Sequence, residues 1–184
     1  MKTIETRRLK LRMVNVHDAK DLYKTFGDEE SMKWFRGEAY HSLAEVKEFL
    51  RNDTELMFSM KGAHRAYAIT LKCDGSVIGY IYSQTKSYSF VHFAEVVGYV
   101  LDRDYRGNGY ATEALRALMA FLFEEHDVAW VEACVSEEDG PSLRLLSRCG
   151  FHTPEWGETF DDWDPLSQTF MKDLTFTRAD FSRR

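Results

Sequence analysis

The N-terminal third of the chain contains one alternating segment followed by two segments with helical spacing. Residues 8–13 alternate between polar and apolar positions, which is typical of a half-buried strand. Asn15 precedes a segment in which apolar residues recur every three or four positions, so we expect it to cap a first helix. Ser42 and Glu45 have the spacing of a capping box, which predicts the start of a second helix.

The rest of the chain alternates between strand patterns and helix patterns. Asp74-Gly75 separates two alternating runs and predicts a β-hairpin, because this dipeptide suits a turn with positive φ. The predicted strands are residues 66–72, 77–83, 91–101, 128–135 and 170–176, and the predicted helices are residues 112–125 and 142–148. The complete order is βααβββαβαββ. It predicts a layered α/β (α+β) fold with a mixed, mostly antiparallel sheet and helices on both faces.

The composition is that of an ordinary globular chain of 184 residues, for which we expect one domain over residues 1–184. No apolar run approaches the length of a membrane span, and the N-terminus has no apolar signal core, so neither membrane insertion nor export is expected. The three cysteines lack C-x-x-C spacing, which argues against a metal site and favours a reducing cytoplasm.

The net charge of −6 and the lack of a basic patch argue against nucleic-acid binding. The same charge is compatible with a cationic acceptor, but keeping the protein soluble is the simpler explanation.

The most informative segment is residues 106–111 (RGNGYA), which joins a predicted strand to a predicted helix. Two glycines allow close approach to the backbone, and the N–H groups of the first helical turn attract anions. Arg106 is expected to add a positive charge at the rim. The P-loop pattern G-x-x-x-x-G-K-[ST] is absent, and Thr112 replaces the third glycine of the dinucleotide pattern. The segment therefore predicts a pyrophosphate site built mainly from backbone.

Three motifs resemble those of one enzyme family. The pattern R-x-x-G-x-A before a long helix resembles motif A of the GNAT superfamily of N-acetyltransferases. Residues 5–12 (ETRRLKLR) are similar to the T-x-R-L-x-L-R opening of its RimJ/RimL-like group. Residues 133–142 (ACVSEEDGPS), followed by a helix and Gly150-Phe151, resemble motif B, a strand followed by N-x-x-S and a helix closed by Gly-Phe. Because the motifs occur in family order and spacing, the chain is identified as a member of this group.

The resemblance implies that acetyl-coenzyme A is the acyl donor and that an amine attacks its thioester directly. In the family the pantetheine pairs with the strand before the glycine turn, a role that falls here on Val100 and Leu101. The residues implied for the pyrophosphate are Arg106, Gly107, Asn108, Gly109, Tyr110, Ala111 and Thr112. Motif B adds Asp139 and Ser142 to the implied donor contacts. Asp139 replaces the asparagine of the motif, so it keeps an acceptor oxygen and loses the amide donors.

Two residues are candidates for proton transfer. Glu95 lies where some family members carry a general base, although an exposed position on an alternating strand explains it equally well. Ser142 matches the serine of motif B, and its hydroxyl could donate to the departing sulfur, cap the helix, or do both. Many members place a tyrosine four residues before the motif B glycine, and Leu146 stands there in this chain. Ser142 is therefore the better candidate for the proton donor.

The acceptor is left open between a protein N-terminal α-amine and a small-molecule amine. Aromatic candidates for lining its site are Trp34, Phe35, Tyr82, Tyr88 and Trp163, and acidic candidates are Glu158, Asp161 and Asp162, of which we expect at most one to contribute. A cysteine nucleophile is disfavoured, because Cys149 ends a helix and Cys134 is expected to be a small core residue. The rival function is a non-catalytic acyl-coenzyme A-binding sensor or interaction module. The oligomeric state is also open, with a homodimer as one candidate.

Overall fold

The computed structural model describes residues 2–35, 38–59, 63–87, 93–126, 128–154, 163–164 and 169–183. The strands in these ranges are Ile4–Glu5 (β1), Leu9–Met13 (β2), His64–Leu71 (β3), Val77–Ser87 (β4), Phe93–Leu101 (β5), Trp130–Ser136 (β6), Trp163–Asp164 (β7) and Thr169–Thr177 (β8). The helices are Ala19–Phe26 (α1), Glu29–Met32 (α2), Leu43–Ser59 (α3), Tyr110–Glu125 (α4), Gly140–Arg148 (α5) and Arg178–Ser182 (α6).

Within the described ranges the strands form one sheet in the order β1-β2-β3-β4-β5-β6-β8-β7. Neighbouring strands are antiparallel except β5 and β6, which are parallel. The mixed, mostly antiparallel fold predicted from the sequence is therefore confirmed. The two-residue strand β1 and the short helices α2 and α6 were not predicted, because segments of two to five residues carry too little periodicity to be recognised.

The predicted helix starts depend on local hydrogen bonds. Asn15 Oδ1 accepts from the N–H of His17 at 2.9 Å, and the Asp18 carboxylate accepts from the N–H of Asn15 at 2.9 Å. This capping box opens a short 3-10 turn that leads into α1. At α3, Ser42 Oγ accepts from the N–H of Glu45 at 3.2 Å. Both caps lie where the sequence predicts them.

Each face of the sheet has its own hydrophobic core. Helices α1 to α3 cover one face, where Phe26, Phe49 and Tyr80 pack edge to face with ring centres 5.4 to 5.8 Å apart. Helices α4 and α5 cover the other face, where Leu115, Leu118 and Leu122 are fully buried. Because both faces are covered, the central strands are held in place from two sides.

Strands β5 and β6 separate soon after they meet. Their parallel pairing covers only three register positions, from Ala94 with Trp130 to Val96 with Glu132. Beyond that point β6 pairs with β8 as far as Ser136, while β5 continues beside β4 to Leu101. The two strands therefore enclose a wedge, and α4 begins at its open end.

Candidate active site

The wedge between β5 and β6 contains a cavity of about 520 Å³. Its walls come from the second half of β5, the glycine turn, the first turn of α4, β6, α5 and the region around α2. The residues that line it include Glu30, Ser31, Trp34, Phe35, Tyr82, Val96–Leu101, Arg106, Gly107, Gly109, Tyr110, Ala111, Thr112, Cys134, Asp139 and Ser142. We call this cavity the cleft.

The glycine turn takes a conformation that depends on its glycines. Gly107 and Gly109 both have φ of 77°, in the left-handed region that other residues rarely adopt. Gly109 is the N-cap of α4 and has no side chain to satisfy the first N–H groups of the helix. These donors and the dipole of the 16-residue helix form a site for an anion at the mouth of the wedge.

Most residues predicted to hold the acyl donor lie together in the cleft. Those that line it are Val100, Leu101, Arg106, Gly107, Gly109, Tyr110, Ala111, Thr112, Asp139 and Ser142. Asn108 is not among the lining residues. Its amide nitrogen donates to the carbonyls of Tyr105 and Arg106 at 3.2 and 3.1 Å, so this side chain stabilises the turn through local hydrogen bonds.

The sequence predicted that Arg106 adds a positive charge at the rim of the site, but the structure shows its side chain hydrogen-bonded within the protein. Its Nε donates to the carbonyl of Leu101 at 3.2 Å, and its Nη2 donates to Ser31 Oγ at 2.5 Å. Arg106 therefore ties the end of β5 to α2, and it occupies one of the carbonyls that the cleft would offer to a ligand.

The backbone of Val100 also differs from the prediction. The N–H of Asp102 donates to the carbonyl of Ile78 on the β4 side, and polar backbone groups alternate between the two edges of a strand. The N–H and C=O of Val100 therefore face β4, although the residue is among those that line the cleft. The backbone groups of Tyr99 and Leu101 face the open side, where β6 has moved away.

Asp139, not Ser142, caps α5. The Asp139 carboxylate accepts from the N–H of Ser142 at 3.0 Å, which is the N-cap contact of this helix. The expectation that Ser142 caps the helix is therefore corrected. An acceptor oxygen is all that a cap requires, so the change from asparagine to aspartate preserves this function.

Tyr99 is a cleft residue that the sequence analysis missed. Its hydroxyl is buried beside the hydroxyl of Ser142. Burial raises the pKa of Tyr99, and the Ser142 hydroxyl beside it opposes that rise only in part. A phenol that stays protonated therefore lies next to the motif B serine. The alternation of β5 predicts that Tyr99 shares a face with Val97 and Leu101, but no pattern in the sequence predicts its contact with Ser142.

Glu95 is not among the residues that line the cleft. It is 3% exposed, and its Oε1 accepts from Arg65 Nη1 at 3.0 Å and from Thr85 Oγ1 at 2.6 Å. Arg65 also lies 3.3 Å from the ring of His126, and burial together with Arg65 lowers the pKa of that histidine. Glu95 therefore does not face the cleft as a general base would. The alternative prediction, an exposed side chain on an alternating strand, is also wrong, because Glu95 is buried.

The cleft end between α2 and β4 is aromatic. Trp34, Phe35 and Tyr82 line it, as the sequence suggested, and Phe35 packs edge to face on Tyr82 with ring centres 6.1 Å apart. Cys134 is exposed and lines the cleft, which corrects the prediction of a core residue, whereas Cys149 is buried. The candidates at positions 88, 158, 161 and 162 lie outside the described residues, and Trp163 lies on β7, with its side chain outside the described part of the structure.

Two negative observations apply to the described ranges. Their helices are all too short or too polar to cross a lipid bilayer. Within the same ranges, histidine, cysteine and acidic side chains nowhere come together in threes as a metal site would require.

Comparisons with known proteins identify similar sequences and folds. A family model described as an acetyltransferase (GNAT) domain matches residues 8–152. An uncharacterized N-acetyltransferase of Bacillus licheniformis, p20, is 27% identical over 154 residues, covering 82% of this chain and 83% of that protein. The solved structure of RimL, a ribosomal L7/L12 alpha-N-protein acetyltransferase in complex with coenzyme A, has a TM-score of 0.79 at 16% identity, with 97% and 99% of the two chains covered. Spermidine N-acetyltransferase from Vibrio cholerae, in complex with coenzyme A and spermine, has a TM-score of 0.76 at 15% identity, covering 96% and 99%.

The glycine turn generates a first prediction. If it holds a pyrophosphate, coenzyme A should raise the melting temperature of the wild-type protein, because a ligand of the native state stabilises that state. Gly109→Val places a β-branched residue at a φ of 77° and should abolish the shift. Thermal melts with and without coenzyme A measure it.

Gly75→Val is the matched control. Gly75 has a φ of 78° in the hairpin between β3 and β4, and nothing lies within 4 Å of an added Cβ. This variant should melt at a lower temperature because of the same strain, yet keep the full shift with coenzyme A. A normal shift in Gly109→Val would refute the pyrophosphate assignment.

Proposed function

Because the chain belongs to the acetyltransferase (GNAT) family, we propose that it transfers the acetyl group of acetyl-coenzyme A to a weakly basic amine, such as a protein N-terminal α-amine. The observation that carries this proposal is the wedge between β5 and β6, which ends at an anion site made of backbone N–H groups. A long donor with a pyrophosphate at one end and a thioester at the other matches that shape.

The donor would lie along the free edge of β5. Its pyrophosphate would accept hydrogen bonds from the N–H groups at Gly109 and in the first turn of α4. Its pantetheine arm would take the place that β6 leaves, pairing with the backbone of Tyr99 and the N–H of Leu101. The carbonyl of Leu101 is already bonded to Arg106, so fewer acceptors remain there. This arrangement delivers the thioester toward the aromatic end of the cleft.

The reaction requires a neutral amine and a proton for the departing sulfur. The amine lone pair attacks the thioester carbonyl carbon, the C–S bond breaks, and the sulfur takes the bonding electrons. Ser142 Oγ–H would donate a proton to that thiolate. The buried Tyr99 phenol could restore the proton to Ser142, since its raised pKa keeps it protonated. Tyr99 would thus replace the tyrosine that many family members carry at the position of Leu146 in this chain. The amine gives up its own proton to water, and water returns a proton to Tyr99 after the products leave the cleft, so that the phenol is protonated again for the next turnover.

The walls of the cleft favour an amine that loses its proton easily. The described residues that line it include no histidine, and the Asp139 carboxylate is committed to the α5 cap. Glu30 forms an ion pair with Arg103. Of the two solved neighbours named above, one is an alpha-N-protein acetyltransferase and the other is a spermidine N-acetyltransferase. The lack of a free base among the described cleft residues supports the first kind of acceptor for this chain.

A direct test is release of free thiol from acetyl-coenzyme A in the presence of an amine panel containing peptides, polyamines and amino acids. Thiol release that depends on both substrates would support acetyl transfer. Coenzyme A binding without release across the panel would favour the non-catalytic acyl-coenzyme A-binding module.

Acceptor preference follows from the cost of deprotonation. A lysine ε-amine must be deprotonated at a cost of roughly 4.6 kcal/mol at pH 7, whereas a peptide α-amine costs only about 1 kcal/mol. We therefore expect kcat/KM to be higher for a peptide whose α-amine is free and whose lysine is blocked. The comparison is the same peptide with a blocked α-amine and a free lysine. Efficient ε-amine acetylation at pH 7 would show that a strong base exists and would contradict the preference.

Ser142→Ala separates proton donation from folding. Loss of a general acid should lower kcat by about 10²-fold while KM for acetyl-coenzyme A changes little. Stability should change by less than about 0.5 kcal/mol, because the helix cap is Asp139. Asp139→Ala is the comparison for the cap and should lower the free energy of unfolding by about 1 kcal/mol. Wild-type turnover in Ser142→Ala would exclude Ser142 as proton donor.

A further inference from the structure

Arg8 connects the beginning of the chain to the glycine turn. It lies between β1 and β2, and its Nη1 donates to the carbonyl of Asn108 at 3.0 Å, across 100 residues of sequence. Its guanidinium carbon lies 4.4 Å from the centre of the Tyr110 ring. Its Nε donates to Glu113 Oε2 at 2.7 Å. One side chain thus contacts the turn and the first helical turn that follows it.

We propose that Arg8 is a positioning residue that keeps the glycine turn oriented for the pyrophosphate, an inference that rests on the proposed function. In a trans peptide, the C=O of Asn108 and the N–H of Gly109 point in opposite directions. Arg8 is not a lining residue of the cleft, so it holds Asn108 O on the outer side of the turn. The N–H of Gly109 is thereby directed to the inner side, where the anion would bind.

The turn needs this external contact because its own backbone allows other orientations. Gly107 and Gly109 flank Asn108, and glycine populates positive and negative φ with similar ease. Rotation of the peptide between Asn108 and Gly109 would aim a carbonyl oxygen at the phosphate and remove a donor. Arg8 makes that rotation costly, because its charged hydrogen bond to Asn108 would be lost.

Arg8 also neutralises a carboxylate close to the anion site. Glu113 Oε1 accepts from the backbone N–H of Arg8 at 2.9 Å and from Thr6 Oγ1 at 2.6 Å. Burial raises the pKa of Glu113, but the hydrogen bonds from Thr6 and Arg8 lower it by more, so the carboxylate stays ionised. Without the guanidinium, this negative charge in the first turn of α4 would oppose a pyrophosphate.

The test is Arg8→Met, which keeps an unbranched side chain and removes the guanidinium. Titration calorimetry with coenzyme A measures Kd, and steady-state kinetics measure KM and kcat. We expect Kd for coenzyme A and KM for acetyl-coenzyme A to rise about tenfold or more, as loss of a charged hydrogen bond predicts. The kcat at saturating donor should stay within about twofold of wild type, because Arg8 does not contact the reacting atoms.

Arg12→Met is the matched control. Arg12 lies on β2, and its two terminal nitrogens donate to the Asp18 carboxylate at 2.8 and 2.6 Å, away from the glycine turn. This variant should lower the melting temperature and leave Kd for coenzyme A unchanged. Equal rises of Kd in both variants would mean general destabilisation and would overturn the proposal.

Two further variants keep the test decisive if Arg8→Met folds poorly. Arg8→Lys can pair with Glu113 but cannot bridge it to Asn108, so Kd should rise by severalfold. Adding Glu113→Gln to Arg8→Met should recover part of the lost affinity by removing the unpaired charge. Wild-type affinity in Arg8→Lys and Arg8→Met would refute the role of Arg8. Failure of the wild-type protein itself to bind coenzyme A would instead refute the proposed function.

Discussion

The site depends on one interruption of backbone pairing inside the sheet. Strands β5 and β6 share three register positions and then diverge, because β6 continues its pairing with β8 while β5 continues with β4. The separation leaves backbone groups of Tyr99 and Leu101 without a strand partner in the middle of the protein. Unpaired backbone groups in such a position are costly unless water or a ligand satisfies them. The same feature that weakens the sheet therefore creates the place where a ligand with amide groups fits.

The opening stays rigid because its surroundings are fixed by polar contacts on both sides. Arg106 binds the end of β5 to α2 through Leu101 and Ser31, and Asp139 caps the helix on the opposite wall. The buried ion pair between Arg65 on β3 and Glu95 on β5 reaches across β4 and links the two strands. The sequence made Glu95, Arg106 and Asp139 candidates for the site, yet each makes structural hydrogen bonds within the protein. The proposed chemistry therefore depends on neutral hydroxyls and on backbone groups.

Features determined by local interactions were predictable from the sequence, and features determined by long-range contacts were not. The caps at Asn15 and Ser42 involve residues three positions apart or fewer, so their spacing was sufficient. The glycine turn was recognisable because its chemistry lies in six consecutive residues. Arg65, which pairs with Glu95, lies 30 residues away from it, and Ser31 lies 75 residues away from Arg106, and no periodicity reveals these contacts. Cys134 lies on an apolar strand, and only the divergence of that strand from β5 exposes it.

The contact between Arg8 and Asn108 has a consequence for the order in which the molecule assembles. Helix α4 can form from local interactions. The peptide that precedes it gains its fixed orientation only when the β1–β2 hairpin, which carries Arg8, packs against the glycine turn. Closing a loop of that length carries an entropic cost that grows slowly with length and delays non-local contacts during folding. A chain with α4 formed and the hairpin undocked would have the helix without the oriented turn. Ligand-binding competence should therefore appear late in folding, as a property of the closed chain and not of the motif alone.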